Sequence, residues 1–303
     1  MSVFSRLVVA TTNAGPVEKL MTRTRPGKAL AHRFVAGEKL DEAVIVASGL
    51  NADGMKVSLD LLGEEVHDAV SARAACDEYL ACLDRIAEED LDANISVKLT
   101  QLGLSIDEGL AVESIGRLSD RAEEMGTTVT IDMEDSRYTD ATVRIYEKVQ
   151  TDRGNLGVAI QAYMRRTPDD LQRLIGLGGH IRLCKGAYVE PEEVALTSKS
   201  EVDAAFANQL RTLMNATTTA PAVATHDQGL IDLTRTLASR REGYFEFQML
   251  YGVRTTLQAE LVAAGYPLRV YLPFGSQWYP YLTRRLAERP ANAWFFARAA
   301  FGN

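Results

Sequence analysis

The strongest constraint on the fold is an unbroken alternation of strand-like and helix-like segments from residue 56 onward. Eight short runs are rich in Val, Ile, Leu, Tyr and Phe, as buried parallel strands are. They span residues 56–61, 95–99, 128–133, 157–162, 180–184, 222–225, 244–249 and 268–272. Amphipathic helical segments separate them, at 69–88, 106–125, 139–149, 168–177, 200–214, 229–239 and 255–264. This alternation predicts a parallel (β/α)8 barrel, the TIM barrel architecture.

A doubly wound open sheet is the alternative fold. Such a sheet more often has about five to seven strands and carries a G-x-G-x-x-G turn after an early strand. The turn Leu61-Leu-Gly-Glu-Glu after the first predicted strand is not that motif. Residues 1–54 are predicted to be a helical extension on the bottom or side of the barrel, and residues 55–303 the barrel itself. Because no linker or low-complexity tract divides the chain, we expect a single domain.

Charge and cysteine content limit the classes of partner. With 33 basic and 41 acidic residues the chain carries a formal charge of −8 and has no basic stripe, which disfavours nucleic acid as a partner. Cys76, Cys82 and Cys184 form no C-x-x-C pair, and no signal peptide or long apolar segment is evident. We therefore expect a cytoplasmic protein, with peripheral contact on the inner face of a membrane left open.

Polar side chains follow nearly every predicted strand, where the active site of a TIM barrel lies. These positions are Lys98, Asp132, Gln161, Arg182, Lys185, Thr225, His226, Gln248 and Tyr271. A barrel without a ligand site needs only a few polar groups there. Because buried polar groups near the barrel mouth require partners or a ligand, the set together favours a functional site.

Individually, these residues allow alternatives. Lys98 is either a lysine whose ammonium reaches solvent, a cation for a carboxylate, or a Schiff-base amine. Asp132 either caps the next helix or faces the barrel mouth, and Asp135 or Ser136 is better placed to cap. His226 is either a ligand-site or a structural histidine, and His180 at a strand start favours a structural role. With four histidines and neither H-x-H nor H-E-x-x-H, a metal site is disfavoured.

Residues 182–188 comprise the end of the fifth predicted strand followed by a Lys-Gly pair. Gly186 would let backbone N–H groups approach a bound group closely. Together with Thr197 and Lys199, this segment is a candidate to hold a pyrophosphate or a ring system. An ordinary strand-exit turn is an equally good interpretation.

The end of the chain places two adjacent arginines on a predicted helix after Tyr271. Glu288 lies four residues after Arg284 and three after Arg285, so one carboxylate can orient both guanidinium groups. This pattern indicates either a clamp for a small carboxylate or an ordinary surface helix face.

Six motifs in order carry a resemblance to a known family. They are I-D-M-E-D at 131–135, A-I-Q-A-Y at 159–163, I-R-L-C-K-G-A-Y at 181–188, A-T-H-D at 224–227, F-E-F-Q-M-L-Y-G at 245–252, and the closing Y-L-P-F-G…Y-L-x-R-R-L-x-E. The chain resembles the monofunctional, flavin-dependent proline dehydrogenases of bacteria over most of its length. That resemblance implies a distorted barrel whose last helix lies over the mouth.

The resemblance also implies roles for individual residues. Asp132 and Arg182 correspond to the polar pair at the reaction centre. The proline-binding positions correspond to Lys98, Tyr188, Tyr271, Arg284, Arg285 and Glu288. The positions that line FAD correspond to Met133, Gln161, Arg182, Lys185, Gly186, Ala187, Thr225, His226, Gln248 and Leu250, with Thr197 and Lys199 in a more loosely matching segment near the pyrophosphate.

The expected reaction is oxidation of L-proline to Δ1-pyrroline-5-carboxylate, with hydride transfer from ring carbon 5 to flavin N5. A tyrosine at position 271 goes with proline rather than hydroxyproline in this family. The resemblance further implies a membrane quinone as electron acceptor and a downstream pyrroline-5-carboxylate dehydrogenase as a partner. Two other readings remain open: a Schiff-base aldolase using Lys98 or Lys185, and a non-catalytic barrel that binds an amino acid or a partner.

Overall fold

The structure, a computed structural model, describes residues 24, 31–63 and 66–288, with side chains in the last helix described to residue 283. The elements follow one another in strict alternation after the first helix. Their order is α1 (Leu40–Ala52), β1 (Lys56–Leu61), α2 (Ala69–Glu88), β2 (Ala93–Val97), α3 (Glu108–Glu124), β3 (Val129–Ile131), α4 (Ser136–Arg153), β4 (Leu156–Gln161), α5 (Thr167–Ile175), β5 (His180–Cys184), α6 (Lys199–Asn215), β6 (Ala220–Ala224), α7 (Gln228–Ala238), β7 (Glu246–Leu250), α8 (Thr255–Ala263), β8 (Leu268–Phe274) and α9 (Trp278–Glu288).

The eight strands form a closed parallel barrel in chain order, which confirms the predicted architecture. Closure is visible at β1, where Val57 lies opposite Ala93 of β2 on one side and Val270 of β8 on the other. An open doubly wound sheet would leave β1 and β8 unpaired to each other. The β1–β8 pairing runs the whole length of β1, so that alternative is wrong.

Predicted and observed strands agree closely, and the differences affect the site. β2 ends at Val97 and β3 at Ile131, so Lys98 and Asp132 each come directly after a strand. β8 continues to Phe274 because its backbone pairs as far as Leu61 of β1. At helix α4, Asp135 caps the N-terminus by accepting a hydrogen bond from the backbone N–H of Arg137 at 3.0 Å. Asp132 is thereby left for the barrel mouth.

The two faces of each strand differ sharply in chemistry. Outward-facing residues such as Val57, Ile95 and Ile131 are fully buried between the strands and the surrounding helices. Their burial provides the main hydrophobic stabilisation of the barrel. The inward-facing residues are mostly polar or small. They are Ser58, Asp60, Asn94, Ser96, Thr130, Gly157, Ala159, Gln161, His180, Arg182, Ala222, Ala224, Glu246, Gln248, Arg269 and Tyr271.

The last helix does not occupy the usual position beside its strand. Helix α9 packs Trp278 and Leu282 against Phe34 and Val35 of the segment before α1. Tyr281 of the same helix lines the cavity at the carboxyl ends of the strands. The outer side of β1 and β8, where a regular barrel has its eighth helix, is covered by α1 instead. These placements confirm the predicted distortion and the helix over the mouth.

The boundary predicted at residues 54 and 55 stays a prediction, although α1 shows that part of the segment before it is helical. In the described part of the chain, no helix is both long enough and apolar enough to cross a membrane.

Candidate active site

A cavity of about 660 Å3 lies at the carboxyl ends of the barrel strands. This volume falls in the range of about 300–1,000 Å3 that ligand sites occupy. Most of the site residues predicted from sequence line its wall. They are Lys98, Asp132, Met133, Gln161, Arg182, Lys185, Gly186, Ala187, Tyr188, Lys199, Thr225, His226, Gln248, Leu250 and Tyr271.

Two cations and two carboxylates form a buried group at the inner end of the cavity, which we call the inner cluster: Asp60, Lys98, Asp132 and Arg182. The ammonium Nζ of Lys98 lies 2.8 Å from Oδ1 of Asp60 and 3.4 Å from Oδ2 of Asp132. The guanidinium Nη1 of Arg182 lies 2.5 Å from Oδ1 of Asp132. Asp60, Lys98 and Asp132 lie on or directly after the neighbouring strands β1, β2 and β3, and the curvature of the barrel brings Arg182 of β5 to the same point.

Lys98 is charged in this environment. Burial alone would lower its pKa, but the nearby carboxylates of Asp60 and Asp132 raise it well above the usual value for lysine. A Schiff-base lysine needs a neutral amine to attack a carbonyl, and its pKa is usually depressed. The electrostatics therefore disfavour Lys98 as the nucleophile of an aldolase and favour it as a fixed cation.

Asp132 accepts hydrogen bonds from four side chains. Ser96 Oγ donates to it at 2.8 Å and the Tyr271 hydroxyl at 2.7 Å, in addition to the contacts with Arg182 and Lys98. Burial raises the pKa of Asp132, but the two cations and these hydrogen bonds lower it by more than burial raises it. The net pKa is therefore below the usual value for aspartate. Asp132 is thus an ionised anchor for the groups around it.

Tyr271 faces the same carboxylate. Burial raises the pKa of its phenol well above the usual value. The hydroxyl therefore keeps its proton and donates a hydrogen bond to Asp132. The Arg182 guanidinium lies over the Tyr271 ring, with Cζ 5.3 Å from the ring centroid. The carboxyl end of β8 therefore fixes one side of Arg182.

The opposite wall is built around the end of β4. Gln161 Nε2 donates to the Glu134 carbonyl at 3.0 Å, and its Oε1 accepts from the Ala187 N–H at 3.3 Å. Gly186 has φ +120°, and a Cβ there would lie 2.3 Å from a ring carbon of Tyr163. Glycine is thus required at position 186 for the chain to pass this close to the wall.

A second group of two cations and two carboxylates lies at the outer end of the cavity, and we call it the outer cluster: Lys185, Lys199, Asp203 and Asp227. Lys185 Nζ contacts Asp203 and lies 3.1 Å from Asp227. Lys199 contacts Asp203 and lies 3.8 Å from Asp227. Hydrogen bonds and charge from the two lysines lower the pKa of both aspartates despite partial burial.

Thr225 and His226 stabilise the ends of β6 and β7. Thr225 Oγ1 accepts from the Asp227 N–H at 3.1 Å, and His226 Nε2 accepts from the Leu250 N–H at 3.1 Å. Such bonds place backbone and side chains of both strands on the cavity wall. Among the residues that the structure describes, no group of three or more His, Cys, Asp or Glu side chains is arranged to hold a metal ion.

Other predicted residues lie elsewhere. Thr197 is exposed and is not part of the cavity wall. Arg284, Arg285 and Glu288 belong to the backbone of α9, but their side chains fall outside the described residues. His180 lies half-buried at the start of β5, below the cavity, with Nε2 2.6 Å from Thr130 Oγ1. Desolvation lowers its pKa to about 3, in keeping with a structural role.

Sequence reasoning missed several cavity residues. Asp60 lines the cavity from within β1, Gln277 reaches it from the turn before α9, and Tyr281 reaches it from α9 itself. Asp60 alternates with Ser58 on the inner face of a strand that was recognised, so the period of two was the signal that could have identified it. Asp227 is the last residue of the A-T-H-D motif, but it was given no role and reads as a helix cap, a role that it also fills.

Comparison with known proteins gives consistent matches. A family model described as proline dehydrogenase matches residues 44–298. The chain is 39% identical over 279 residues to Proline dehydrogenase 2 of Bacillus subtilis strain 168, covering 91% of each chain. It is 36% identical over 274 residues to the Proline dehydrogenase of Deinococcus radiodurans, covering 88% of each.

Solved structures give the same fold. Proline utilization A from Bdellovibrio bacteriovorus, inactivated by N-propargylglycine, superimposes with a TM-score of 0.83 at 22% identity. The match covers 99% of this chain and 38% of that one. The chain also matches the Bifunctional protein PutA of Escherichia coli K12 at 28% identity, covering 24% of that protein. Relative to these longer proteins, the chain corresponds to one part.

Proposed function

Because the chain belongs to the proline dehydrogenase family, we propose that it oxidises L-proline in the cavity at the barrel mouth, as the first step of proline catabolism, with FAD as its cofactor. The observation that carries this proposal is the inner cluster. It presents a charged lysine and a buried arginine around one ionised aspartate, at the bottom of a cavity large enough for a cofactor and a small amino acid. Family membership supplies the reaction, and the cluster supplies a place for it.

The residues on the cavity wall fit a flavin dinucleotide. Its ring system needs hydrogen-bond donors and acceptors on an otherwise close-fitting wall, and its diphosphate needs cations. Gln161, Arg182 and Gln248 provide the polar groups toward the inner end. The small side chains of Ala159 and Ala224 leave room between them.

The outer end of the cavity suits the diphosphate. Lys185 and Lys199 both line it, and each is paired with aspartates that an anion would partly replace as partners. Both ends of the cavity carry two cations, but those at the outer end are the more exposed and can exchange their aspartate partners for phosphate oxygens. We assign the ring system to the inner end and the phosphates to the outer end on this difference in exposure.

When bound, the flavin supplies an acceptor for the hydride of ring carbon 5, which converts proline to Δ1-pyrroline-5-carboxylate. The protein's own residues bind and orient the substrate. Lys98 is held between Asp60 and Asp132 and provides a fixed cation for the proline carboxylate. We propose that Arg284 and Arg285, oriented by Glu288, close on the same carboxylate from α9. Anchoring at one end of a small ring restricts where carbon 5 lies, and such positioning contributes strongly to rate.

Asp132 and Arg182 organise the reaction centre, with Tyr188 and Tyr271 proposed to pack about the pyrrolidine ring. A positive guanidinium in a buried site stabilises negative charge that develops near it. Asp132 is a poor proton acceptor because its pKa is lowered. We propose that the amine proton of proline leaves to water rather than to a protein base.

We further propose a quinone as the electron acceptor, reached by transient contact with the inner face of a membrane. A downstream pyrroline-5-carboxylate dehydrogenase is the proposed partner. The word bifunctional in the name of the longer relatives supports a second activity on the same chain in those proteins.

The absorption spectrum of the purified protein tests this function. We expect flavin bands in the visible region, release of FAD rather than FMN on denaturation, and bleaching on anaerobic addition of L-proline but not D-proline. A flavin-free protein trapped by borohydride with a keto substrate would support a Schiff-base aldolase through Lys185. Binding of an amino acid without flavin or turnover would support a non-catalytic barrel. Either result would overturn the proposal.

A further inference from the structure

We propose that Glu246, which lies below the cavity and does not line it, is a positioning residue that fixes the Gln248 amide and through it the guanidinium of Arg182. This inference rests on the proposed function, because it assigns Glu246 a role in the oxidation of proline. It concerns a buried ion pair between Glu246 and Arg269 that does not line the cavity. Glu246 falls within the F-E-F-Q-M-L-Y-G motif, where only Gln248 and Leu250 were assigned roles.

A continuous chain of hydrogen bonds joins Glu246 to the inner cluster. Gln248 Nε2 donates to Glu246 Oε1 at 2.6 Å, and Arg182 Nε donates to Gln248 Oε1 at 2.5 Å. Arg182 Nη1 in turn donates to Asp132 Oδ1 at 2.5 Å and to Ser96 Oγ at 2.8 Å. The carboxylate below the cavity is thus two side chains away from the reaction centre.

The two charged neighbours dictate the orientation of the Gln248 amide. A guanidinium has only donors and an ionised carboxylate only acceptors. The amide oxygen must therefore face Arg182, and the amide nitrogen must face Glu246. The reversed amide would place NH2 against the guanidinium and oxygen against the carboxylate, losing both bonds in a buried site.

Glu246 remains ionised because it has its own partners. Arg269 Nε donates to Glu246 Oε1 at 2.7 Å, and the Tyr244 hydroxyl donates to Oε2 at 2.7 Å. Burial alone would raise the pKa of Glu246, but Arg269 and these hydrogen bonds lower it to about 2. A neutral glutamine at position 246 would keep its oxygen toward Arg269 and Gln248, but it would accept both hydrogen bonds without a charge and so hold the Gln248 amide more weakly.

The anchoring of the substrate carboxylate depends only indirectly on this chain, because Lys98 meets it at Asp132 and has a shorter contact with Asp60, outside the chain. Lys98 is held by Asp60 and Asp132, and Glu246 contacts neither of those carboxylates. Loss of the Glu246 carboxylate should therefore loosen Arg182 and slow the hydride step while leaving proline binding nearly unchanged. If Glu246 had a purely structural role, its loss would lower stability without slowing the hydride step selectively over proline binding.

The test measures anaerobic reduction of the bound flavin by L-proline in Glu246→Gln. We expect the limiting rate constant to fall by about tenfold or more, because small errors in positioning cost large factors in rate. The proline Kd should stay within about twofold, since Lys98 keeps its partners. FAD content should be unchanged, and the midpoint potential of the flavin should shift because the charges next to Arg182 change.

Asp170→Asn is the matched control. Asp170 is also a buried carboxylate paired with an arginine, at 2.6 Å from Arg166 Nε, but it lies on the outer helix α5 away from the cavity. The Asp170→Asn substitution should lower the melting temperature of the protein and leave the rate constant of flavin reduction and the midpoint potential of the flavin unchanged. If Glu246→Gln behaves like this control, or raises the proline Kd as much as it lowers the rate, the proposal is wrong.

A double variant, Glu246→Gln with Arg269→Gln, keeps the proposal testable if the single variant folds poorly, because it leaves no unpaired buried charge. The rate constant should remain low in the double variant. Recovery to the wild-type rate would mean that an uncompensated Arg269, rather than the lost carboxylate, caused the defect. A wild-type protein that lacks flavin or is not reduced by proline would instead overturn the proposed function, so the two failures are distinct.

Discussion

The inner and outer clusters have the same composition but differ in burial. Each consists of two cations and two carboxylates, and all of these residues except Asp203 line the same cavity. In the inner cluster the side chains are between 1% and 14% exposed, whereas in the outer cluster they are between 29% and 78% exposed. The same charges should therefore contribute very differently to stability and to binding.

Water explains the difference. Exposed ion pairs are screened and contribute about 0–1 kcal/mol. Removing one partner from a buried pair leaves an uncompensated charge and costs about 3–5 kcal/mol. The inner cluster is consequently rigid and intolerant of change. The outer cluster can exchange its aspartates for an anionic ligand at little cost, as expected of a site that binds a cofactor and releases it.

Asp132→Asn should give the largest effect. The substitution removes the charge that holds Arg182 and Lys98, so we expect the rate of flavin reduction by proline to fall by about a hundredfold or more. The free energy of unfolding should fall by about 3 kcal/mol at pH 7. Stopped-flow spectrophotometry and urea denaturation measure the two quantities.

The pH dependence of that loss provides a check on its cause. The folded pKa of Asp132 is lowered, so its stabilising charge is fully present above the ordinary aspartate pKa and is lost as pH falls through the lowered value. The difference in stability between wild type and Asp132→Asn should therefore shrink in acid. A difference that grows as pH falls would show that the carboxylate is not ionised in the native protein.

Lys199→Gln should give the smallest effect. Lys199 is 78% exposed, so the unfolding free energy should change by less than about 1 kcal/mol. The FAD Kd should rise by no more than about threefold at physiological ionic strength, and that rise should disappear at high salt. Equilibrium dialysis at two salt concentrations tests this. A large, salt-independent loss of FAD would place Lys199 in the rigid part of the site.

Sequence patterns predicted the frame of the molecule well, and the reason is physical. Strand and helix periods are local properties, so the eight strands and the polar residues directly after them could be identified from the chain alone. Lys98, Asp132 and Arg182 fall on the cavity wall as expected from their positions at strand ends. The structure places Asp135, not Asp132, at the helix cap, which was the open alternative.

The partners of these residues could not be predicted in the same way. Asp203 and Asp227 meet Lys185 across 18 and 42 residues of sequence, and one is on a helix face that looks like ordinary surface. Glu246 reads as an interior residue of the predicted strand 244–249, and its contact with Arg269 depends on the register between β7 and β8. Such pairings are set by three-dimensional register, which no local period encodes.

The most direct test of the division between the two clusters compares Lys98→Met with Lys185→Met by anaerobic reduction with L-proline, normalised to bound FAD. Lys98→Met should retain FAD and raise the proline Kd by about tenfold to a hundredfold, the loss expected for a hydrogen bond to a charged group. Lys185→Met should lose FAD readily and show a nearly unchanged rate constant and proline Kd for the flavin that remains bound. Two results would contradict the assignment of substrate to the inner cluster and cofactor phosphates to the outer one. They are loss of FAD with normal proline binding in Lys98→Met, and retained FAD with weakened proline binding in Lys185→Met.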